Sequence, residues 1–186
     1  SYLTSYNERF QVLAAPLRPE QAENVTGAHV GAVLSRLRSL YDYVVVDTAP
    51  SFDDTTIAAL DAADLVLVVA ALDLPTIKNI KIGLEIMQSL GYGEEKVQLV
   101  LNRANSEGGL DTHEVEASLR RQFLMAIPSD GKTIVNSVNK GLPFVVTHPE
   151  TPAAQRIFAL ADKVAPQDID IQKAAEKPAR RFKFFG

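Results

Sequence analysis

Three polar groups stand where buried apolar runs stop, and their residue types suit nucleotide chemistry. Asp47 ends the run Tyr43-Val44-Val45-Val46 and is followed by Thr48-Ala49-Pro50-Ser51. Asn102 ends Val97-Gln98-Leu99-Val100-Leu101, and Pro128-Ser129-Asp130 ends Phe123–Ile127. A carboxylate at the carboxyl end of a buried strand suits a water held on Mg²⁺ beside a phosphate. It equally suits a solvated turn residue, because Asp is common where strands give way to loops, and the local pattern leaves both readings open. The Asn102 amide carries donors and an acceptor, which matches the edge of adenine. Residues 128–131 could present backbone groups to the same base. If these runs are strands of one parallel sheet, all three ends lie along one edge.

Other candidates carry less. His29, His113 and His148 lack metal-ligand spacing and read as surface or capping residues. Asp53 and Asp54 precede a helical stretch and read as caps rather than general bases. Asp73 and Lys78 fall in a loop and its helix, where solvation explains them. Gly131-Lys132-Thr133 is a Gly-Lys pair followed by a hydroxyl, but it lacks the upstream glycine of a phosphate loop.

The elements that must position these groups follow from periodicity. Runs Val44–Val46, Asp64–Ala70, Val97–Asn102 and Phe123–Ile127 are too apolar for one-sided strands and predict a parallel sheet buried on both faces, and the short apolar run Phe10–Ala15 reads as a further strand. Between them lie amphipathic stretches predicting helices over 20–40, 55–63, 76–90, 111–122, 131–140 and 151–164. Gly91 is the expected stop of the third, and Arg120-Arg121 the basic end of the fourth. Strands alternating with helices predict an α/β fold, a mostly parallel sheet with helices on both faces.

Composition narrows the classes. The chain has 186 residues, a net charge of -4 and no cysteine. That excludes disulfides and thiolate metal sites, fits a cytoplasmic protein, and gives no basic field for nucleic acid. No apolar run approaches a membrane span. The chain starts at Ser1 and in mid-pattern, which predicts a piece of a longer protein. Residues 166–186 lose the apolar rhythm and predict a flexible tail ending Arg180-Arg181-Phe182-Lys183-Phe184-Phe185, whose cations and aromatics could touch a membrane surface.

Taken in order, the segments Asp42–Pro50, Ala63–Val68, Val97–Arg103, Ile127–Asp130 and Ser137–Pro143 resemble the MinD/ParA family of deviant-Walker ATPases. Phe10–Glu20 and Leu72–Asn79 look most like its CpaE/TadZ pilus-assembly branch. The resemblance implies a P-loop NTPase fold over residues 1–165, with ATP and Mg²⁺ as cofactors and a homodimer as the working form. It implies that Asp47 is the Walker B aspartate, binding Mg²⁺ through water, and that Thr48 to Ser51, Pro50 included, sense the γ-phosphate. Asn102, with Arg103 beside it, would read adenine, and Pro128 and Asp130 would close over the base. It further implies a switch that positions a pilus or secretion machine, peripheral at the inner membrane or cell pole; the rival is a localisation scaffold that keeps the fold without turnover. The family's glycine-rich phosphate loop would precede this chain. Alone, the chain is therefore expected to bind ATP poorly, to be inactive, and to show a gap in strand pairing beside Val44–Val46.

Overall fold

A computed structural model describes residues 2–16, 18–106 and 108–165, apart from the Pro19 side chain. The expected tail, 166–186, lies outside the described residues. The described residues divide into two compact units, 2–63 and 64–165.

The first unit opens with strands β1 (Thr4–Ser5) and β2 (Gln11–Val12), paired antiparallel. Asn7 makes the turn between them: its side-chain oxygen accepts from the N–H groups of Arg9 and Phe10 at 2.9 and 2.8 Å. The strand expected over Phe10–Ala15 is thus two residues long and belongs to a hairpin, not to the parallel sheet. Helix α1 (Pro19–Ala22) is separated from α2 (Gly27–Arg38) by Thr26. Thr26 Oγ1 accepts from the His29 N–H at 3.4 Å while His29 Nδ1 accepts from the Thr26 N–H at 3.2 Å. This reciprocal box starts a new helix, so the continuous helix expected over 20–40 is broken.

Helix α3 (Asp54–Ala62) lies beside α2. Asp54 Oδ2 accepts from the Gly27 N–H at 2.5 Å, and Arg38 Nη1 donates to the Ala62 carbonyl at 2.9 Å. The helices meet start to start and end to end, so they run in the same direction. Between them, residues 43–49 form no strand. Val45 is 94% exposed and Val46 46% exposed, and no backbone hydrogen bond engages this stretch among the described residues. The central, doubly buried strand predicted here is corrected. A valine run is buried only when ladder partners and covering layers flank it, and here neither is present.

The second unit carries the parallel sheet: β3 (Val66–Ala70), β4 (Val97–Asn102) and β5 (Phe123–Ile127), with β4 in the middle. Helix α4 (Leu74–Ser89) crosses from β3 to β4, and α5 (Thr112–Leu119) from β4 to β5. Leu99 and Leu101 are wholly buried and share one face of β4, where Ile77 and Ile80 of α4 and Val115 and Leu119 of α5 complete the core. Val100, on the opposite face, is buried too, so β4 is covered on both sides as its composition predicts. β3 is not: Val69 is 60% exposed, and Leu67 is exposed beside it.

Helices α6 (Gly131–Lys140), α7 (Phe144–Thr147) and α8 (Pro152–Val164) follow, α8 packing on β5. The short α7 has no sequence-level signal. Gly91 ends α4 at φ 84°, the left-handed turn only glycine enters freely. Arg120 and Arg121 lie beyond α5 rather than in its last turn, because Arg120 itself takes the left-handed conformation. The Arg121 guanidinium instead donates to the Val97 carbonyl, with Glu94 Oε1 3.8 Å away, and so ties down the start of β4.

Candidate functional site

Within the second unit the carboxyl ends of the strands are strapped together by the loop that follows β4. Asn102 Oδ1 accepts from the Arg103 N–H at 3.0 Å, and Arg103 is held at φ 53°. That conformation costs a non-glycine residue about 1–2 kcal/mol, so the surrounding bonds must hold it. They do: the Ala104 N–H donates to the Ile127 carbonyl at 3.0 Å, and Asn105 Oδ1 accepts from the Ser129 N–H at 2.6 Å. At the far end of the same loop the Leu110 N–H donates to the Leu72 carbonyl at 2.9 Å.

Asn102 pairs in register with Ile127, the residue before Pro128. Asn102, Arg103, Pro128 and Asp130 are therefore brought to one edge, as expected. Asn102 is half-buried and its amide nitrogen has no partner among the described residues, so a donor remains for a ligand. Asp130 serves the structure, because it caps α6 and accepts from the Thr133 N–H at 3.2 Å. Its carboxylate thereby occupies the helix start that a phosphate would need at Gly131-Lys132-Thr133. Asn105 and Leu72 were not legible as straps, because their partners lie 24 and 38 residues away in sequence.

Asp47, Thr48 and Pro50 lie on the first unit, all exposed. The Asp47 carboxylate has no partner among the described residues, which leaves it available to a hydrated cation. Its neighbour Asp53 is fully engaged. Asp53 accepts from the Thr56 N–H at 2.8 Å and from the Ser51 and Thr55 hydroxyls at 2.7 Å each, capping α3. The backbone bond from Thr56, then the two hydroxyls, hold its carboxyl far below the ordinary value of 3.8. Asp73 is lowered in the same way by the Thr76 N–H and hydroxyl as it caps α4. Both behave as caps.

A depressed carboxyl contributes stability that is full above its ordinary pKa and is lost as pH falls toward the folded value. The stability gap between the wild type and Asp53→Asn is therefore expected to stay constant from about pH 7 to 5 and to close as pH falls from about 4 toward 2. Urea midpoints across that range measure it. A gap that widens on acidification would refute the assignment.

Each histidine has a polar neighbour close by in sequence. His29 serves the box at Thr26, His113 lies 3.7 Å from Glu116, and His148 Nδ1 lies 2.9 Å from Thr147 Oγ1. Among the described residues no cluster of metal-ligating side chains forms.

Residues 13–91 match the family described as an AAA domain. The septum site-determining protein MinD of Thermotoga maritima is 24% identical over 126 residues, covering 65% of this chain and 46% of that protein. The ParA family ATPase of Chlorobium tepidum superposes with a TM-score of 0.80 at 20% identity, over 86% of this chain and 65% of that one. MinD of Pyrococcus horikoshii, solved with Mg-ADP, gives 0.70 at 18% identity, over 92% and 67%. The chain shares the α/β fold of these ParA and MinD structures. It spans about half the length of the Thermotoga relative, 46%.

Proposed function

We propose that this chain supplies the adenine-reading edge and the metal-ligand segment of an ATP-dependent switch of the MinD/ParA type. The observation that carries the reading is Asn102: a strand-end amide held in place by its own oxygen, strapped beside Pro128, with its donor nitrogen left over. Asn102 and Pro128 would receive adenine, and Asp47 would hold a water on Mg²⁺. The bound nucleotide would supply a cleavable phosphoanhydride. Two copies would meet in the nucleotide-bound form and part after hydrolysis. The likeness of Phe10–Glu20 and Leu72–Asn79 to the CpaE/TadZ branch supports a pilus or secretion machine as the thing positioned.

The test uses the whole protein. Asn102→Ala is expected to weaken adenine-nucleotide binding roughly tenfold, the equivalent of one hydrogen bond to a base edge. Asp47→Ala is expected to abolish Mg²⁺-dependent dimerisation in sedimentation while leaving metal-free nucleotide binding in place. Unchanged binding in the first variant, or unchanged dimerisation in the second, overturns that residue's role. A strain carrying only Asp47→Ala is expected to lose its surface pili, and normal piliation would remove the machine from the reading.

A further inference from the structure

Helix α6 presents a cationic row that the nucleotide reading does not use. Lys132, Asn136 and Lys140 are spaced four apart, so they stand along one row of the helix, and all three are exposed. They line a groove of about 350 Å³, which Thr147 and His148 at the end of α7 also line. Among the described residues no acidic side chain lines this groove. Neither lysine makes an ion pair or hydrogen bond among the described residues. The nearest carboxylate in sequence, Asp130, is engaged at the Thr133 N–H. Two unpaired ammonium groups therefore stand beside a groove on a chain whose net charge is -4.

We propose that this groove binds an extended acidic peptide segment of a partner protein, with acidic side chains four residues apart over Lys132 and Lys140. The spacing carries the argument. Residues four apart on a helix rise about 6 Å, and alternate residues of an extended peptide advance about 6.6–6.8 Å. A peptide running along the row thus stays in step with it: acid over Lys132, a polar residue over Asn136, acid over Lys140. In an extended chain those alternate side chains share one face.

A nucleic-acid backbone is also a linear anion, but it fits less well. Its phosphates only accept, so they can use the Asn136 NH2 but not its carbonyl oxygen, which a peptide N–H or hydroxyl can also engage. Among the described residues no Phe, Tyr or Trp lines the groove to stack a base. The surface belongs to the second unit alone, and the proposal does not depend on nucleotide binding.

The experiment is fluorescence anisotropy on the full chain, without nucleotide. The probes are two fluorescein-labelled Ser/Thr peptides of equal charge, one with glutamates four apart and one with adjacent glutamates. The four-apart peptide is expected to bind at least about fivefold tighter, and the double variant Lys132→Glu/Lys140→Glu to weaken it at least about tenfold. Lys132→Ser and Lys140→Ser, which keep exposed polar residues in place, are expected to lose a part each, with melting unchanged. Equal binding of the two peptides, or binding indifferent to all three variants, overturns the proposal. So does a dT oligonucleotide that binds and is released by the same variants while the peptides do not bind, since it would assign the groove to nucleic acid.

Discussion

Leu101→Ala is expected to destabilise the second unit by about 2–5 kcal/mol, the range for a buried leucine truncated in a core that cannot close. Leu101 is 0% exposed and sits in the middle strand, with Ala70, Ile77, Ile80 and Leu119 in its cluster. Collapse around the missing methyls is resisted from both sides. β4 is laddered to β3 from Val66↔Val97 to Ala70↔Leu101, and to β5 through Asn102↔Ile127. The loss is a large share of the roughly 5–15 kcal/mol that holds a typical domain. Val69→Ala is the matched control. Val69 is 60% exposed on the same sheet, so its truncation is expected to stay within about 1 kcal/mol. Urea denaturation followed by circular dichroism compares them. A Leu101→Ala loss no greater than that of Val69→Ala would mean that the core lies elsewhere.

The contrast between Leu101 and Val45 also shows what the sequence could and could not disclose. Both sit in runs of apolar residues ending at a polar one, Asn102 and Asp47. Composition makes both central strands. Only β4 has ladders on its two edges and helices over it, whereas Val45 is 94% exposed. An apolar run specifies a residue's preference for burial, not the presence of the partners that grant it. Features that one residue creates locally were legible. Gly91 as a helix stop and Asp53 as a cap depend on neighbours a few positions away.

Features made by distant pairs were not legible. Arg121 at the Val97 carbonyl and Asn105 at Ser129 join residues 24 apart through side chains of ordinary type. The Thr26 box fell between these cases, since it is local but uses His29 where the usual signal is Glu or Gln. Of the candidate site, Asn102 and Pro128 were legible because strand ends in one parallel sheet must share an edge. The strap that holds them there was not.

Gly27→Ala tests whether geometry or propensity governs the first unit, because the two predict opposite signs. Alanine is favoured over glycine in a helix by about 1 kcal/mol. At Gly27, however, an added Cβ would lie 2.7 Å from the main-chain oxygen of Asp54 and 2.7 Å from its Oδ2. The side chain could rotate away only by abandoning the 2.5 Å bond it accepts from the Gly27 N–H. The main-chain oxygen could retreat only by shifting the start of α3 along α2. Overpacking of this kind costs about 1–3 kcal/mol, and a weakened charge-assisted bond adds to it, so the propensity gain is outweighed. A net loss of about 1–2 kcal/mol is expected. Gly31→Ala in the same helix has nothing within 4 Å of its added carbon. There propensity acts alone, and a gain of about 0.5–1 kcal/mol is expected. Opposite shifts of the urea midpoint in the two variants are the predicted result. Shifts of the same sign would show that α2 and α3 do not meet at Gly27, and with that the parallel helix pair would lose its anchoring contact.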